Sequence, residues 1–517
     1  MPIKHIVISN NTNNINMVIS RPISRSGSNY SAHLQQENDN HSNGYIETSA
    51  SKLMANVTCA NMFSGITSLE SIDMSSFNFR NTTNMYEMFY VCRNLHTVTG
   101  IENWDVSNVS DFTRMFYGCE NLSYDLSNWN VSNANTFLQT FAYSKLPSNM
   151  FEMNLRDTVL QDTFTGSIGS LNANNWNLVN CASDRLFVDI SNVHISNWNI
   201  IDRGHSNFIS AAESFEIEDS RLERTFFSFP NFGTPNLRYV NMTNVSFNNV
   251  ILNYFCGNAR NLTNVNISDS ELYIRYGVSL FYNCTNLHYI NMYNCVIDNC
   301  NMKYRGYSHS ANFLLNCNNL YGIDLIQCNF TNFKFYSADI FYNKTYLQYV
   351  NMSGSASNSV TIAYMFNNLK NLRYVNMPNI SFASDVTSIV RVFDHCTNLE
   401  SVDVTNWNTQ GISNFNSIFG HCESLLSLDL SGWNTRRVSN AREMFYLDEC
   451  YALKKVWVPI DVVGSSDNGN NPFQSVKFQG PICDVYLEGD LSSHHFSSIG
   501  SSWNMHYNAS YQDFLGA

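Results

Sequence analysis

The chain has 517 residues, of which 44% are hydrophobic and only 14% are charged, and its formal net charge is −13. Single hydrophobic cores stop growing at roughly 250–300 residues, so this length indicates several domains or one long repeat array. The negative charge argues against a nucleic-acid partner, which needs clustered Lys and Arg. No segment approaches the roughly 20 apolar residues of a membrane span, and the polar N-terminus does not resemble a secretory signal, so we expect neither feature.

Residues 1–50 are rich in Asn and Ser and carry scattered charge. Such a composition is typical of segments that cannot bury enough apolar surface to form a core of their own. We therefore expect residues 1–50 to be an N-terminal arm or attachment segment.

A repeat of about 25–28 residues follows, with the pattern Phe-x-x-Cys-x-x-Leu-x-x-Val-Asn-Met. It is regular over 51–146 and 236–455, whereas over 147–235 the Trp-Asn pairs persist but the leucine spacing is lost, which indicates degenerate repeats. Residues 456–517 lack the repeat, and because the last coil of an array needs its apolar side covered, we expect a C-terminal cap there. The register leucines are Leu69, Leu95, Leu122, Leu237, Leu262, Leu287, Leu320, Leu347, Leu372, Leu399, Leu425 and Leu453.

Each register leucine is followed by a short segment in which apolar and polar residues alternate. In Leu237-Arg-Tyr-Val240-Asn-Met242, for example, Val240 and Met242 fall on one side and Tyr239 and Asn241 on the other. A period of two over so few residues predicts a short strand with one buried face.

The residues before each register leucine have a different spacing. Their apolar positions lie at i, i+3, i+4 and i+7, which predicts a short helix with one buried face. One such unit cannot bury its apolar side alone, so successive units must stack, with their strands forming a parallel sheet. The sequence thus predicts an α/β solenoid with a parallel β-sheet along one face and short helices and turns on the other. The spacing is clearest in Met85, Met88, Phe89 and Cys92 and in Ile389, Val392, Phe393 and Cys396.

Two segments carry a family resemblance. Arg114-Met-Phe-Tyr-Gly-Cys-Glu-Asn-Leu122 and Phe419-Gly-His-Cys-Glu-Ser-Leu-Leu-Ser-Leu-Asp-Leu-Ser-Gly-Trp-Asn-Thr435 resemble the BspA-type leucine-rich repeats of bacterial and protist surface proteins. The resemblance is strong over about 60–150 and 236–455. It implies a leucine-rich-repeat solenoid that serves adhesion or ligand recognition, without enzymatic activity, and we expect no cofactor.

Two columns of residues should point outward from the predicted sheet. Tyrosine offers an apolar ring with a polar tip, and Asn offers adaptable hydrogen bonds, so both suit a protein or glycan ligand. Asn residues at one position of every coil could instead bond to each other as a ladder, and we favour this architectural role for the Asn column. Tyr349 and Tyr374 should be neighbours. The predicted ligand-binding residues are Tyr239, Tyr289, Tyr349, Tyr374, Asn241, Asn291, Asn351 and Asn376.

The regular positions of cysteine and tryptophan favour packing roles. Seven of the 14 Cys lie three residues before a register leucine, which indicates buried thiols rather than disulfides. Four tryptophans also recur with the coil, and we expect them beneath the turn that leaves the strand rather than as an exposed rail for glycans. These are Trp104, Trp129, Trp407 and Trp433.

Histidine clusters are the only candidate metal ligands. His395-Cys396 and His421-Cys422 occupy equivalent positions of adjacent units, and Asp394 could add an oxygen ligand. Packing explains the cysteines better, and the cluster of His494, His495 and His506 has no Cys or carboxylate at a ligand spacing. We therefore expect no metal site.

The predicted function is that of a non-catalytic adhesion or recognition protein at an exposed surface, with a protein or glycan ligand bound along the sheet face. The alternative is a structural protein of a phage or virus particle, such as a fibre, decoration or receptor-binding subunit. In that case residues 1–50 or the C-terminal tail would bind other copies of the chain or other virion proteins.

Overall fold

The computed structural model describes two compact units, Met1–Leu237 with Asn248–Ile251, and Arg238–Phe247 with Leu252–Ala517. In each unit the strands of successive coils pair in parallel. The pair Tyr30–Gln36 and Ser42–Thr48 in the first unit is antiparallel. The described residues are 3–9, 30–36, 42–48, 53–201, 209–210, 213–223, 236–250, 256–274, 280–299, 314, 316–331, 341, 343–357, 362–382, 384, 386–434, 450–458, 483–488 and 503–516.

In the first unit, short strands such as Ser71–Asp73 and Ser170–Asn174 alternate buried with outward residues, as the period of two predicts. One 3-10 turn, Ile101–Asn103, lies between them. The strands are β1 (Ile3–Ser9), β2 (Tyr30–Gln36), β3 (Ser42–Thr48), β4 (Leu53–Met54), β5 (Ser71–Asp73), β6 (Phe77–Asn78), β7 (Thr97–Thr99), β8 (Asn154–Arg156), β9 (Ser170–Asn174), β10 (Asn177–Val179), β11 (Phe187–Val188), β12 (Asn192–Ser196), β13 (Asn199–Ile201), β14 (Ile209–Ser210) and β15 (Ser214–Glu223).

Strands β1–β3 lie within residues 1–50, for which we expect an arm. They form one sheet with β5 and β7 in the order β2-β3-β1-β5-β7. A role in attachment stays a prediction. Strands β8–β15 fall within 147–235, where β10 pairs in parallel with β8 and with β13, and β12 pairs with β9 and β15. Parallel pairing between coils therefore continues where the leucine spacing is lost.

The second unit repeats the arrangement with longer strands at its start. Its first outward column runs in register through Tyr289, Gly322, Tyr349, Tyr374 and Ser401. The strands are β16 (Tyr239–Val250), β17 (Asn264–Ser268), β18 (Glu271–Ile274), β19 (Tyr289–Tyr293), β20 (Val296–Asn299), β21 (Gly322–Ile326), β22 (Asn329–Thr331), β23 (Tyr349–Asn351), β24 (Ala356–Ser357), β25 (Tyr374–Asn376), β26 (Ser401–Asp403), β27 (Ser427–Asp429), β28 (Lys455–Val458), β29 (Cys483–Leu487) and β30 (Trp503–His506).

The prediction of short helices before the register leucines is wrong. Met85, Met88, Phe89 and Cys92 are fully buried, but their segment is a series of turns. Met88 N donates to Met85 O at 3.2 Å and Cys92 N to Phe89 O at 3.2 Å, whereas Met85 N and Phe89 N donate to the next coil. These bonds to the next coil replace the i→i−4 bonds of a helix.

Each turn contains one residue in the left-handed region, and this backbone conformation gives the turns the same spacing of buried residues as a helix. Glu87 (φ 51°) and Val91 (φ 58°) occupy the third position of successive four-residue turns, where a positive φ belongs. Two such turns bring residues i, i+3, i+4 and i+7 to the same side. The segment Ile389–Cys396 repeats this geometry with Arg391 and His395 in the left-handed region.

Stacked aromatic rings fill the interior of both units. Phe393, for example, stacks on Phe366 and on Phe419 with 5.4 Å between ring centroids in each case. The four recurring tryptophans are buried, with exposed fractions of 4% or less, which confirms their predicted position. Trp407 and Trp433 stack at 5.4 Å, and Trp433 Nε1 donates to Val404 O at 2.8 Å.

Every cysteine that the structure describes is buried and belongs to no disulfide, which confirms the predicted buried thiols. Their position has a further cause. Each repeating Sγ donates to the main-chain oxygen of a residue in the preceding coil, as Cys92 does to Phe63 O at 3.1 Å and Cys396 to Phe366 O at 3.0 Å. The thiol therefore both packs and satisfies a buried carbonyl.

The C-terminal residues include α1 (Tyr511–Gly516), the one α-helix among the described residues. Phe514 of this helix packs with Trp457 of β28 and Tyr486 of β29 in one buried cluster. All three residues belong to 456–517, and the role of this segment as a cap stays a prediction. In the described part of the chain no helix is long and apolar enough to span a membrane.

Candidate ligand-binding surface on the second unit

The outward columns of the second unit form as the strand period predicts. Tyr349 and Tyr374 are paired neighbours on β23 and β25, and Asn351 and Asn376 are paired beside them. The intervening Val350 is fully buried, so the tyrosine and asparagine side chains lie on the opposite face of the sheet. The expectation that the two tyrosines are adjacent is confirmed.

The first three side chains of the asparagine column hydrogen-bond to one another. Asn266 Nδ2 donates to Asn241 Oδ1 at 2.6 Å, and Asn291 Nδ2 donates to Asn266 Oδ1 at 2.7 Å. We call Asn241, Asn266 and Asn291 the amide ladder. This is the architectural role expected of the column, and it engages Asn241 and Asn291, two of the predicted ligand-binding residues.

Asp324 interrupts the column one coil later and binds two of the predicted tyrosines. The hydroxyls of Tyr289, in the preceding coil, and Tyr349, in the following coil, both donate to its carboxylate. Gly322 makes room for them, because a Cβ there would lie 2.9 Å from Tyr349 Cδ1 and 3.3 Å from Tyr289 Cδ2. We call Tyr289, Gly322, Asp324 and Tyr349 the Asp324 clamp.

The clamp changes the ionisation of both phenols. Partial burial, followed by the hydrogen bond to Asp324, raises the pKa of Tyr349 to about 12 and also raises the pKa of Tyr289. Both causes favour the neutral phenol, which donates its proton to a carboxylate that is only 7% exposed.

An open groove begins where the clamp ends. It has a volume of about 290 Å³ and lies over β23, β25 and β26. Asn376 Oδ1 is buried in this region and accepts no hydrogen bond from the described residues. Asp403 Oδ1 accepts from the main-chain and side-chain groups of Thr405, at 3.0 and 2.7 Å. We call the set the Tyr349 groove; its side chains are Tyr349, Asn351, Tyr374, Asn376, Ser401 and Asp403.

A charged rim lies beside the groove. Tyr374 is 43% exposed and donates its hydroxyl to Glu400 Oε2 at 2.7 Å. Arg373 donates to Glu400 Oε1 at 2.9 and 2.6 Å, and its guanidinium carbon lies 5.3 Å from the centre of the Tyr374 ring. The hydrogen bonds from Tyr374 and Arg373 lower the pKa of Glu400. The charged carboxylate accepts the hydroxyl proton of Tyr374. The rim fixes the orientation of the exposed ring.

The structure thus distributes seven of the eight predicted binding residues over the groove, the ladder and the clamp, with Tyr349 shared by the groove and the clamp. Tyr349, Tyr374, Asn351 and Asn376 meet in the Tyr349 groove, Asn241 and Asn291 are in the amide ladder, and Tyr289 is in the clamp. Tyr239 lies on β16 beside Asn264, away from the other tyrosines. Sequence reasoning did not identify the roles of Gly322, Asp324, Ser401, Asp403, Arg373 and Glu400, although the break in both columns at Gly322 and Asp324 is visible in the sequence.

A smaller depression of about 220 Å³ in the first unit provides a contrast. Its lining includes Asn154, Arg156 and Asn177, and no aromatic residue. Asn177 Nδ2 donates to Asn154 Oδ1 at 2.9 Å, and Asn199 Nδ2 donates to Asn177 Oδ1 at 2.8 Å. Its amides are therefore engaged with one another, as in the amide ladder.

Known proteins provide a family similarity over part of the chain. The model of the family described as "Mycoplasma protein of unknown function, DUF285" matches residues 57–176 and 360–458. The chain is similar to this family over these two stretches, and the first extends into the stretch in which the leucine spacing is lost. No curated protein sequence matches the chain significantly.

Solved structures of leucine-rich-repeat proteins are similar at a coarse level. An internalin, InlF, from Listeria monocytogenes is 11% identical with a TM-score of 0.30, and the match covers 62% of this chain and 81% of the internalin. The TLR13–ssRNA13 complex is 14% identical with a TM-score of 0.30, and the match covers 86% of this chain and 71% of that one.

Proposed function

We propose that the chain is a non-catalytic recognition protein that binds a carbohydrate in the Tyr349 groove. One observation carries this proposal: an exposed, oriented tyrosine ring adjoins a polar groove that contains an amide oxygen without a hydrogen-bond partner among the described residues. Sugars present apolar ring faces and hydroxyl donors together. Tyr374 offers a surface for the first, and the carboxylate of Asp403 offers an acceptor for the second. Asn376 Oδ1 is buried, so its amide would have to rotate to accept from the ligand.

The size and polarity of the groove favour a carbohydrate over a protein ligand. Its volume of about 290 Å³ is near the lower end of the roughly 300–1,000 Å³ typical of small-molecule sites. A stable protein interface buries roughly 800 Å² on each partner and has an apolar centre. Apart from its two tyrosines, this groove presents Asn, Ser and Asp side chains, which suit a hydroxylated ligand.

The family resemblance is consistent with this function. The repeat pattern that resembles BspA-type surface proteins implies adhesion or ligand recognition, and such a role would require an exposed location on a cell surface. Burial raises the pKa of Cys92 to about 12 and that of Cys59 to about 11, so these two thiols give no support to nucleophilic catalysis.

The test is a binding screen of the full-length chain on a printed array of bacterial and host glycans, followed by titration of the strongest glycan. We expect saturable binding that Tyr374→Ala weakens about tenfold, since loss of a stacked aromatic contact removes about 1 kcal/mol or more. Asp403→Asn should also weaken it, because the amide repels hydroxyl donors at one of its two positions.

Tyr364→Ala is the matched control. Tyr364 is 45% exposed, close to the 43% of Tyr374, but lies in a turn segment rather than in a strand. Binding should be unchanged in this variant. An array without any bound glycan, or binding that Tyr374→Ala and Tyr364→Ala weaken equally, would contradict the proposal.

A further inference from the structure

We propose that Asp394, His395 and His421 form a zinc-binding site on the turn side of the second unit. Their candidate ligand atoms, one carboxylate oxygen and two imidazole nitrogens, all lie within 4.8 Å of one another. Asp394 Oδ1 and His395 Nδ1 are 2.9 Å apart, and the centres of the two imidazole rings are 4.0 Å apart. This site is separate from the Tyr349 groove and does not depend on the proposed function.

The backbone explains why these side chains face outward while their neighbours face inward. His395 (φ 61°) and His421 (φ 54°) are in the left-handed region at equivalent positions of successive coils. The following cysteines point into the core, where Cys396 Sγ donates to Phe366 O at 3.0 Å and Cys422 Sγ to Phe393 O at 3.2 Å. The thiols are therefore not ligands, which agrees with the packing role that the sequence predicts for them.

The backbone requirement alone does not account for the two histidines. Other coils place Asn in this column, which is the usual residue at a positive φ, as at Asn258, Asn283, Asn343 and Asn368. Asn283 Nδ2 even donates to Asn258 Oδ1 at 2.8 Å, as a ladder. Histidine replaces Asn only at two adjacent coils of this described column, directly beside a buried carboxylate.

Neighbouring side chains orient the carboxylate of Asp394 as they typically orient a carboxylate that binds a metal ion. Asp394 is only 5% exposed. Its Oδ2 accepts from Asn367 Nδ2 at 3.3 Å and lies 3.7 Å from Arg391 Nε, which leaves Oδ1 directed toward His395. Metal-binding carboxylates are typically oriented by such hydrogen bonds on their other oxygen.

The two imidazoles and one carboxylate determine which metal ion fits the site. Two neutral imidazoles and one carboxylate suit Zn²⁺, which binds N and O ligands at about 2.0–2.2 Å and often completes a tetrahedron with water. Bond lengths of that size place ligand atoms roughly 3.3–3.6 Å apart, so the side chains need only small rotations. The histidines are partly exposed, which leaves a position for water.

The test measures zinc bound by the full-length chain, by equilibrium dialysis against ZnCl₂ and by calorimetric titration. The double variant His395→Asn, His421→Asn keeps the residue that this column carries elsewhere, so its fold should be retained. Asp394→Asn likewise introduces the residue found at the equivalent Asn367. We expect the double variant to lose one equivalent of zinc and Asp394→Asn to bind that equivalent at least tenfold more weakly.

His506→Asn is the control, because His506 pairs with Asp484 at 2.9 Å in the C-terminal strands. It should leave this equivalent unchanged, and X-ray absorption of the zinc complex should show nitrogen and oxygen neighbours without sulfur. Failure of the wild-type chain to bind zinc, equal stoichiometry in the double variant, or a sulfur shell at the metal would each overturn the proposal.

Discussion

The amide ladder and the Tyr349 groove share the asparagine column of the second unit, and they differ in how the polar groups of that column are satisfied. In the ladder every coil contributes Asn, so each amide bonds to the next at 2.6–2.7 Å. In the groove Asn376 is followed by Asp403, and Asn376 Oδ1 has no partner among the described residues. Amides in a uniform column bond to one another, whereas a mixed column leaves an amide oxygen without a partner among the described residues.

Breaking the ladder should cost the most. We expect Asn266→Ala to lower the free energy of unfolding by about 2 kcal/mol, because it leaves Asn241 Oδ1 and Asn291 Nδ2 without their partner. Asn376→Ala, the matched change in the groove, should cost less than about 0.5 kcal/mol. Urea denaturation of the two variants tests the contrast, and equal losses would refute it.

Gly322 marks the boundary between the two regions. Gly322→Ala should destabilise the fold by about 1–2 kcal/mol, because the new methyl group displaces Tyr289 and Tyr349 from Asp324. Gly411→Ala provides the control, since the nearest atom to its Cβ would be Val386 O at 3.9 Å. The same denaturation experiment should show no loss for Gly411→Ala, and similar losses at both positions would contradict the role of the clamp.

The buried cysteine column has an interruption of its own at Lys344, which lies three residues before Leu347 and is 1% exposed. Burial lowers the pKa of Lys344. A lowered pKa means that the unfolded chain binds the proton better, so this lysine destabilises the fold below its folded pKa, and the penalty disappears as the pH rises to the unfolded value of about 10.5.

Lys344→Met should therefore stabilise the chain at pH 7 by about 1 kcal/mol. The gain should shrink as the pH approaches 10.5. Thermal denaturation at several pH values measures both effects. Lys370→Met, at an exposed lysine, is the control and should show no such gain. A destabilised Lys344→Met would show instead that the ammonium group has a structural role.

The smallest expected effect concerns the ionisation of the clamp. Burial, and then the hydrogen bond to Asp324, raise the pKa of Tyr349 to about 12, so the neutral phenol stabilises the fold fully below the ordinary pKa of about 10. The advantage of wild type over Tyr349→Phe should vanish between pH 10 and 12. Ultraviolet titration of tyrosine should show a late-titrating group that moves toward pH 10 in Asp324→Asn, and an unchanged titration in that variant would count against the clamp.

The strand register was predictable because a period of two has one structural interpretation in a stacked array. Val240 and Val350 are buried and the tyrosines beside them face outward, as expected. The turns that replace the predicted helix could not be predicted from Met85, Met88, Phe89 and Cys92, since two four-residue turns bury the same positions as a helix. Only the left-handed residues distinguish the two, and Glu87 and Val91 give no sign of that conformation in the sequence.

The candidate sites were predictable to different degrees for a related reason. Tyr349 and Tyr374 could be paired from the repeat spacing alone. The additional role of Tyr349 in the clamp depends on Gly322 and Asp324, whose effect follows from the two neighbouring tyrosine rings that reach them. The sequence places His395 and His421 at equivalent positions of adjacent coils. The direction of each side chain depends on a turn, which the spacing of apolar residues predicts as a helix.

The Asp324 clamp also bears on how such an array could change over generations. Repeat proteins gain and lose whole repeats easily, because each coil contacts only its neighbours and one coil can replace another. Deleting a coil of the amide ladder would join Asn to Asn again. Deleting the coil of Asp324 would instead bring two tyrosines together without their shared acceptor. Repeat number should therefore be free to vary along the ladder and constrained at the clamp.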